Sequence, residues 1–184
     1  FPQVQIVVRG DSAFAVPRVV RMLEDLNRAL GGIAYVVGLA QNAVLLRSGA
    51  AALSEARLRF QATKQPVQHF DAFPYAAETW PHARHVVMKA EISERGANPR
   101  FVVTSLAEFA PGLLYHAYCE RGRCENFIKD FKNALQADRL SCSTFAANFF
   151  RLLEHAAAYV LFHALRTQVV ALAPQLGRAQ FDTL

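Results

Sequence analysis

Short unbroken apolar runs alternate along this chain with longer stretches of helical spacing, and their order predicts an α/β fold. Val4 to Val8 is a run of strand length, and its apolar character predicts burial on both faces. Gly10 lets the backbone turn as that strand ends. Pro17 stands where a helix can begin, Val19, Val20, Leu23, Leu26 and Leu30 give the helix one apolar face, and Gly31-Gly32 stops it. Ile33 to Leu39 reads as a second strand, so strand, helix and strand form the crossover of a parallel pair. From Ala43 to about Gln61 the spacing is helical again, with Arg47, Arg57 and Arg59 among alanines and leucines.

Between Gln65 and Leu106 the period changes to two. Arg84 to Ser93 and Arg100 to Thr104 alternate most clearly, joined through Gly96, Asn98 and Pro99, which predicts an antiparallel β segment. Beyond it, Thr144 to Leu153 has helical apolar periodicity, and Ala156 to Ala173 approaches the length a bilayer requires. His163, Arg166 and Gln168 interrupt that second stretch, so it reads as a buried helix, with His155 and His163 as satisfied core histidines. No internal repeat or low-complexity segment is present.

The 184 residues fit one domain with room for a subdomain, and 53% hydrophobic content is ample for a core. A net charge of +5 has the sign expected for a nucleic-acid partner without requiring one. Cys119, Cys124 and Cys142 are odd in number and lack a Cys-x-x-Cys spacing, which disfavours a disulfide framework or zinc site and makes a reduced, cytoplasmic setting the default. The first residues carry no basic-then-apolar signal pattern.

The residues with the most chemistry are Tyr118, Arg121, Glu125 and Lys132. Their offsets of three, four and seven predict one face of one helix. A carboxylate there can hold a divalent cation, while arginine and lysine clamp phosphate oxygens and a tyrosine hydroxyl hydrogen-bonds them. The same residues also fit an amphipathic helix with an internal Arg121–Glu125 pair worth a few tenths of a kcal/mol. Upstream, Asp11 ends the first predicted strand, where open α/β sheets bind ligands, although an Asp before Ser12 can equally cap a helix.

The order Tyr118, two residues, Arg121, three residues, Glu125, six residues, Lys132 resembles the signature of a branch of bacterial insertion-sequence DDE transposases. That resemblance implies an RNase H-like core in which three carboxylates surround two divalent ions, Mg²⁺ or Mn²⁺. Asp11 and Glu125 would be the second and third of these, both catalytic and metal-binding. Tyr118, Arg121 and Lys132 would contact double-stranded DNA, and the protein would act on transposon ends and target as a homodimer, with no membrane role, in the nucleoid region of the cytoplasm. Beside the signature, Arg123, Lys129 and Arg139 extend the basic character around Glu125 and favour further DNA phosphate contacts. The implied layout is a core over 1–62 carrying Asp11, a β-rich insertion over 63–110, and the Glu125 helix with closing helices over 111–184. Only ten residues precede Asp11, too few for an earlier strand bearing the first carboxylate, so the expectation is an N-terminally truncated core that is catalytically inert by itself.

Trp80, the single tryptophan, corresponds by loose analogy to an aromatic residue that stacks on a flipped base, although a lone tryptophan is more often core. Arg84, His85, Lys89 and Arg100 offer the β segment a basic surface, or an ordinary solvated face. His82 and His85, three apart on a strand, point to opposite faces and do not suit a shared metal. Two alternatives remain beside the transposase reading: a two-metal nuclease or resolvase of the same fold, and an inactive DNA-binding remnant. A small-ligand α/β module is a distant third, since no glycine-rich phosphate loop is present.

Overall fold

A computed structural model describes residues 4–177, 179 and 181. The described chain forms two compact units, Phe1–Arg121 and Gly122–Leu184.

The first unit is built on one open mixed sheet. Its strands are β1 (Ile6–Gly10), β2 (Ile33–Leu39), β3 (Val67–Tyr75), β4 (Arg84–Ser93), β5 (Gly96–Ala97) and β6 (Arg100–Thr104), in the order β1-β2-β6-β4-β3, with β5 paired to β4. β1 and β2 are parallel, Ile6 opposite Ile33, and are joined by helix α1 (Pro17–Leu30), which is the crossover the sequence predicts. Every other pairing is antiparallel. The antiparallel segment expected between Gln65 and Leu106 is present and belongs to the same sheet as β1 and β2, because β6 pairs with β2 on one side and β4 on the other.

Alternation along the central strands divides the core between the sheet's faces. Val37, Val86 and Val103 pack on one side with Val20 and Leu23 of α1 and with α3 (Ala50–Thr63), whereas Val36, Val87 and Val102 pack on the other with Leu114 and Tyr115 of α4 (Pro111–Cys119). This is the period-two consequence of pleating in strands covered on both faces. The predicted helix from Ala43 is two helices, α2 (Ala43–Ser48) and α3, broken at Gly49.

β1 departs from its predicted double burial. It lies at the sheet edge with one strand neighbour, and Val4, Ile6 and Val7 are exposed. An apolar run predicts that a segment prefers cover without guaranteeing that an element provides it.

The second unit comprises α5 (Gly122–Asn133) and α6 (Phe145–Leu172). Thr144 caps α6 by accepting a hydrogen bond from the Ala147 amide. The expected buried closing helix is one continuous helix with no buried residue. At about 1.5 Å per residue α6 is roughly 42 Å long and α5 about 18 Å, so within its unit α6 exceeds what α5 covers. His163 is accordingly exposed and edge-on to Phe127, and His155 is half-buried, so neither is a core histidine. The unit is pinned instead by Asp130, which is buried, meets Arg166 at 3.3 Å and accepts from the Phe181 amide at 3.1 Å.

Candidate functional site

β1 and β2 run parallel, so their C-terminal ends lie side by side, and the chain turns sharply after each. Asp11 follows Gly10 in extended conformation and caps the 3-10 turn Ser12–Phe14, its Oδ1 accepting from the Ala13 amide at 2.9 Å. The capping reading is thus realised. It uses one carboxylate oxygen and leaves Asp11 exposed at the strand end, so it does not compete with a ligand role.

α4 delivers Tyr118 to the same edge. A Cβ built on Gly38, in the last part of β2, would come within 2.6 Å of the Tyr118 hydroxyl and 3.2 Å of the Ser12 amide nitrogen. The hydroxyl therefore rests over the β2 backbone beside the residue that follows Asp11. Two contacts fix this end of α4. The Arg9 guanidinium donates to the Ala117 carbonyl at 3.0 Å, and the Arg121 guanidinium carbon lies 5.3 Å from the Tyr118 ring centroid. Asp11, Tyr118 and Arg121 all belong to the first unit.

The four-residue stripe is not carried by one helix. α4 ends at Cys119, Glu120 and Arg121 form a turn, and α5 starts at Gly122. Helical periodicity relates Glu125, Lys129 and Lys132 to one another within α5, where offsets of four and seven place them on one exposed face, but it does not extend back to Tyr118. Glu125 lies in the first turn of α5, where the helix dipole favours a negative charge.

The remaining expectations divide. Trp80 is only 8% exposed, edge-on to Tyr75 with centroids 5.5 Å apart, and the Arg84 guanidinium carbon sits 4.7 Å from its ring centroid. This is a core indole, and its packing disfavours base stacking. Arg84 is equally unavailable as a DNA-facing cation. Its Nε and Nη2 donate to the Glu24 carboxylate at 2.6 and 2.8 Å, and the Tyr35 hydroxyl donates to the same carboxylate at 2.9 Å. The Arg84 hydrogen bond, opposed by burial and helped by Tyr35, holds the Glu24 carboxyl below its usual range. His85 is half-buried, and Lys89 is committed to Glu91 at 2.8 Å.

No group of three or more His, Cys, Asp and Glu side chains suited to a metal gathers among the described residues. Asp11 nevertheless fits a magnesium ligand, because that ion commonly takes one or two carboxylates and completes its shell with water and substrate phosphate.

The family model described as Transposase DDE domain group 1 matches residues 1–184. The chain belongs to the DDE transposase family. Comparison with curated proteins and with solved structures gives no match. Transposases of this class transfer phosphoryl groups on DNA and generally use divalent metals. No described helix of the transposase domain is long and apolar enough to cross a membrane.

Proposed function

We propose that this chain is the catalytic-domain part of an insertion-sequence transposase with an RNase H-like core, acting on double-stranded DNA. The observation that carries the reading is the meeting of the Asp11 turn and the Tyr118 hydroxyl at the C-terminal ends of β1 and β2. Its reaction is cleavage of a phosphodiester at the transposon end by water, releasing a 3′ hydroxyl, followed by attack of that hydroxyl on a target phosphodiester. Asp11 and Glu125 serve as metal ligands, and a third carboxylate is outside the residues we assign. Two Mg²⁺ or Mn²⁺ ions, when bound, supply Lewis acidity at the reacting phosphate. Tyr118 and Arg121 hold phosphate oxygens beside Asp11, and Lys129 and Lys132 supply further cationic contacts along α5. A homodimer on DNA, working in the nucleoid region of the cytoplasm, fits this task.

Asp11→Asn tests the metal assignment, because asparagine preserves the cap and removes the charge. Thermal stability should match the parent, while Mn²⁺ binding in the presence of duplex DNA, followed by electron paramagnetic resonance, should weaken at least tenfold. Glu125→Gln should weaken it likewise. Parental Mn²⁺ affinity in Asp11→Asn would remove Asp11 from the site, and cleavage without end joining by the intact protein would favour a nuclease.

A further inference from the structure

The register of β4 and β6 sets two cations opposite each other, Lys89 and Arg100. Like charges directly across an antiparallel pair are destabilising, so each calls for an anion. Lys89 has one in Glu91, and its ammonium also lies 5.2 Å from the Tyr115 ring centroid. The Arg100 guanidinium, by contrast, makes no hydrogen bond or ion pair with any described residue, its pairing with Lys89 being through the strand backbone. It instead borders a cleft of about 180 Å³ in the first unit, together with Ser12, Gly38, Gln41, Tyr115 and Tyr118. At roughly 30 Å³ of liquid per water, that is room for about six waters.

The strand register explains the cleft. Leu39 at the end of β2 pairs with Phe101, so Arg100 lies one residue past the end of β2, level with the turn into α2. Gly38 keeps the wall thin, and α4 closes the far side with two tyrosines. Burial, with the neighbouring Cys119, raises the Tyr115 hydroxyl to about 12, so it remains an O–H group at neutral pH. No acidic side chain lines the cleft. Its polar groups are hydroxyls, one amide and one guanidinium, a set that donates to an oxyanion and leaves a cation unsatisfied.

We infer that this cleft is a phosphate subsite in which Arg100 binds a backbone phosphate of the DNA strand, with Tyr118 and Gln41 as neutral donors, next to the residue that follows Asp11. The inference rests on the DNA-transposase reading and deepens it by adding a phosphate contact outside the Tyr118–Lys132 signature. The subsite fixes the strand's position relative to Asp11. Arg100 is therefore a positioning residue, and its substitution alters binding without altering metal affinity.

Fluorescence anisotropy of a labelled duplex, titrated with the 184-residue chain over a salt series, tests this. Arg100→Ala should reduce the slope of log affinity against log salt by about one, and Arg100→Lys should restore it. Arg28→Ala, at a cation paired with Asp25 on α1, should keep the parental slope. Parental binding with an unaltered slope in Arg100→Ala overturns the subsite and leaves the transposase reading standing. An equal loss in Arg28→Ala also overturns it. A parent chain that does not bind duplex overturns the subsite together with the DNA reading.

Discussion

The Tyr118 hydroxyl lies so close over Gly38 that a methyl group there would come within 2.6 Å of it. Eighty residues separate the two in sequence, yet each is useful to the site only because of the other. Glycine lets the tyrosine reach the strand ends, and the tyrosine closes the edge next to Asp11.

Gly38→Ala should therefore act as an over-packing substitution, destabilising by about 1–3 kcal/mol. Tyr118→Phe in the same chain should recover part of the loss, since deleting the hydroxyl removes the nearest contact and leaves the ring carbon at 3.2 Å. Urea unfolding of the two single variants and the double variant measures the coupling. Strict additivity would mean that the two residues do not press on each other in solution.

The bond between Glu24 and Arg84 sets an acid limit on the first unit. Arg84 keeps the folded-state carboxyl of Glu24 below its ordinary 4.5, so the pair contributes stability that is full above that value and is lost as pH falls through the folded value. Glu24→Gln should cost about 3–5 kcal/mol near neutrality, because it leaves the buried guanidinium without a counter-charge. The gap between parent and variant should then narrow steadily below about pH 4.5. Denaturant midpoints at several pH values decide the matter, and a gap equal at pH 7 and pH 3 would contradict the assignment.

How much of this was legible in the sequence depends on the range of the interaction responsible. The β1–α1–β2 crossover could be read because Pro17, Gly31-Gly32 and the apolar runs are local signals that agree with one another. The β4–β6 pair could be read from its alternation and from Gly96 and Pro99. The break between α4 and α5 was marked by Gly122, a poor helix interior residue, but the offsets of Tyr118, Arg121, Glu125 and Lys132 suggested one continuous helix and outweighed it. Gly49 marked the α2–α3 break in the same way. Glu24–Arg84 and Gly38–Tyr118 are long-range pairings with no local trace, so the buried state of Arg84 and the cleft beside Ser12 emerge only once the sheet order is known. The exposure of α6 was hidden for a different reason. Apolar content reports that a helix prefers cover, and it carries no information about what provides the cover.

Trp80 gives a test of core against DNA contact that needs no label, since it is the sole tryptophan. An indole 8% exposed and covered by the Arg84 guanidinium should emit as a buried fluorophore, and saturating duplex DNA should leave its emission unchanged. Trp80→Ala should cost about 3–5 kcal/mol of stability through the cavity it leaves. Trp80→Phe keeps most of the volume and should preserve both the fold and the duplex affinity. If the residue stacked on a base, the picture would reverse, with DNA quenching its emission and with loss of the ring weakening binding by about 1–3 kcal/mol. Quenching by duplex, with weakened binding by folded Trp80→Phe, would return Trp80 to the DNA interface.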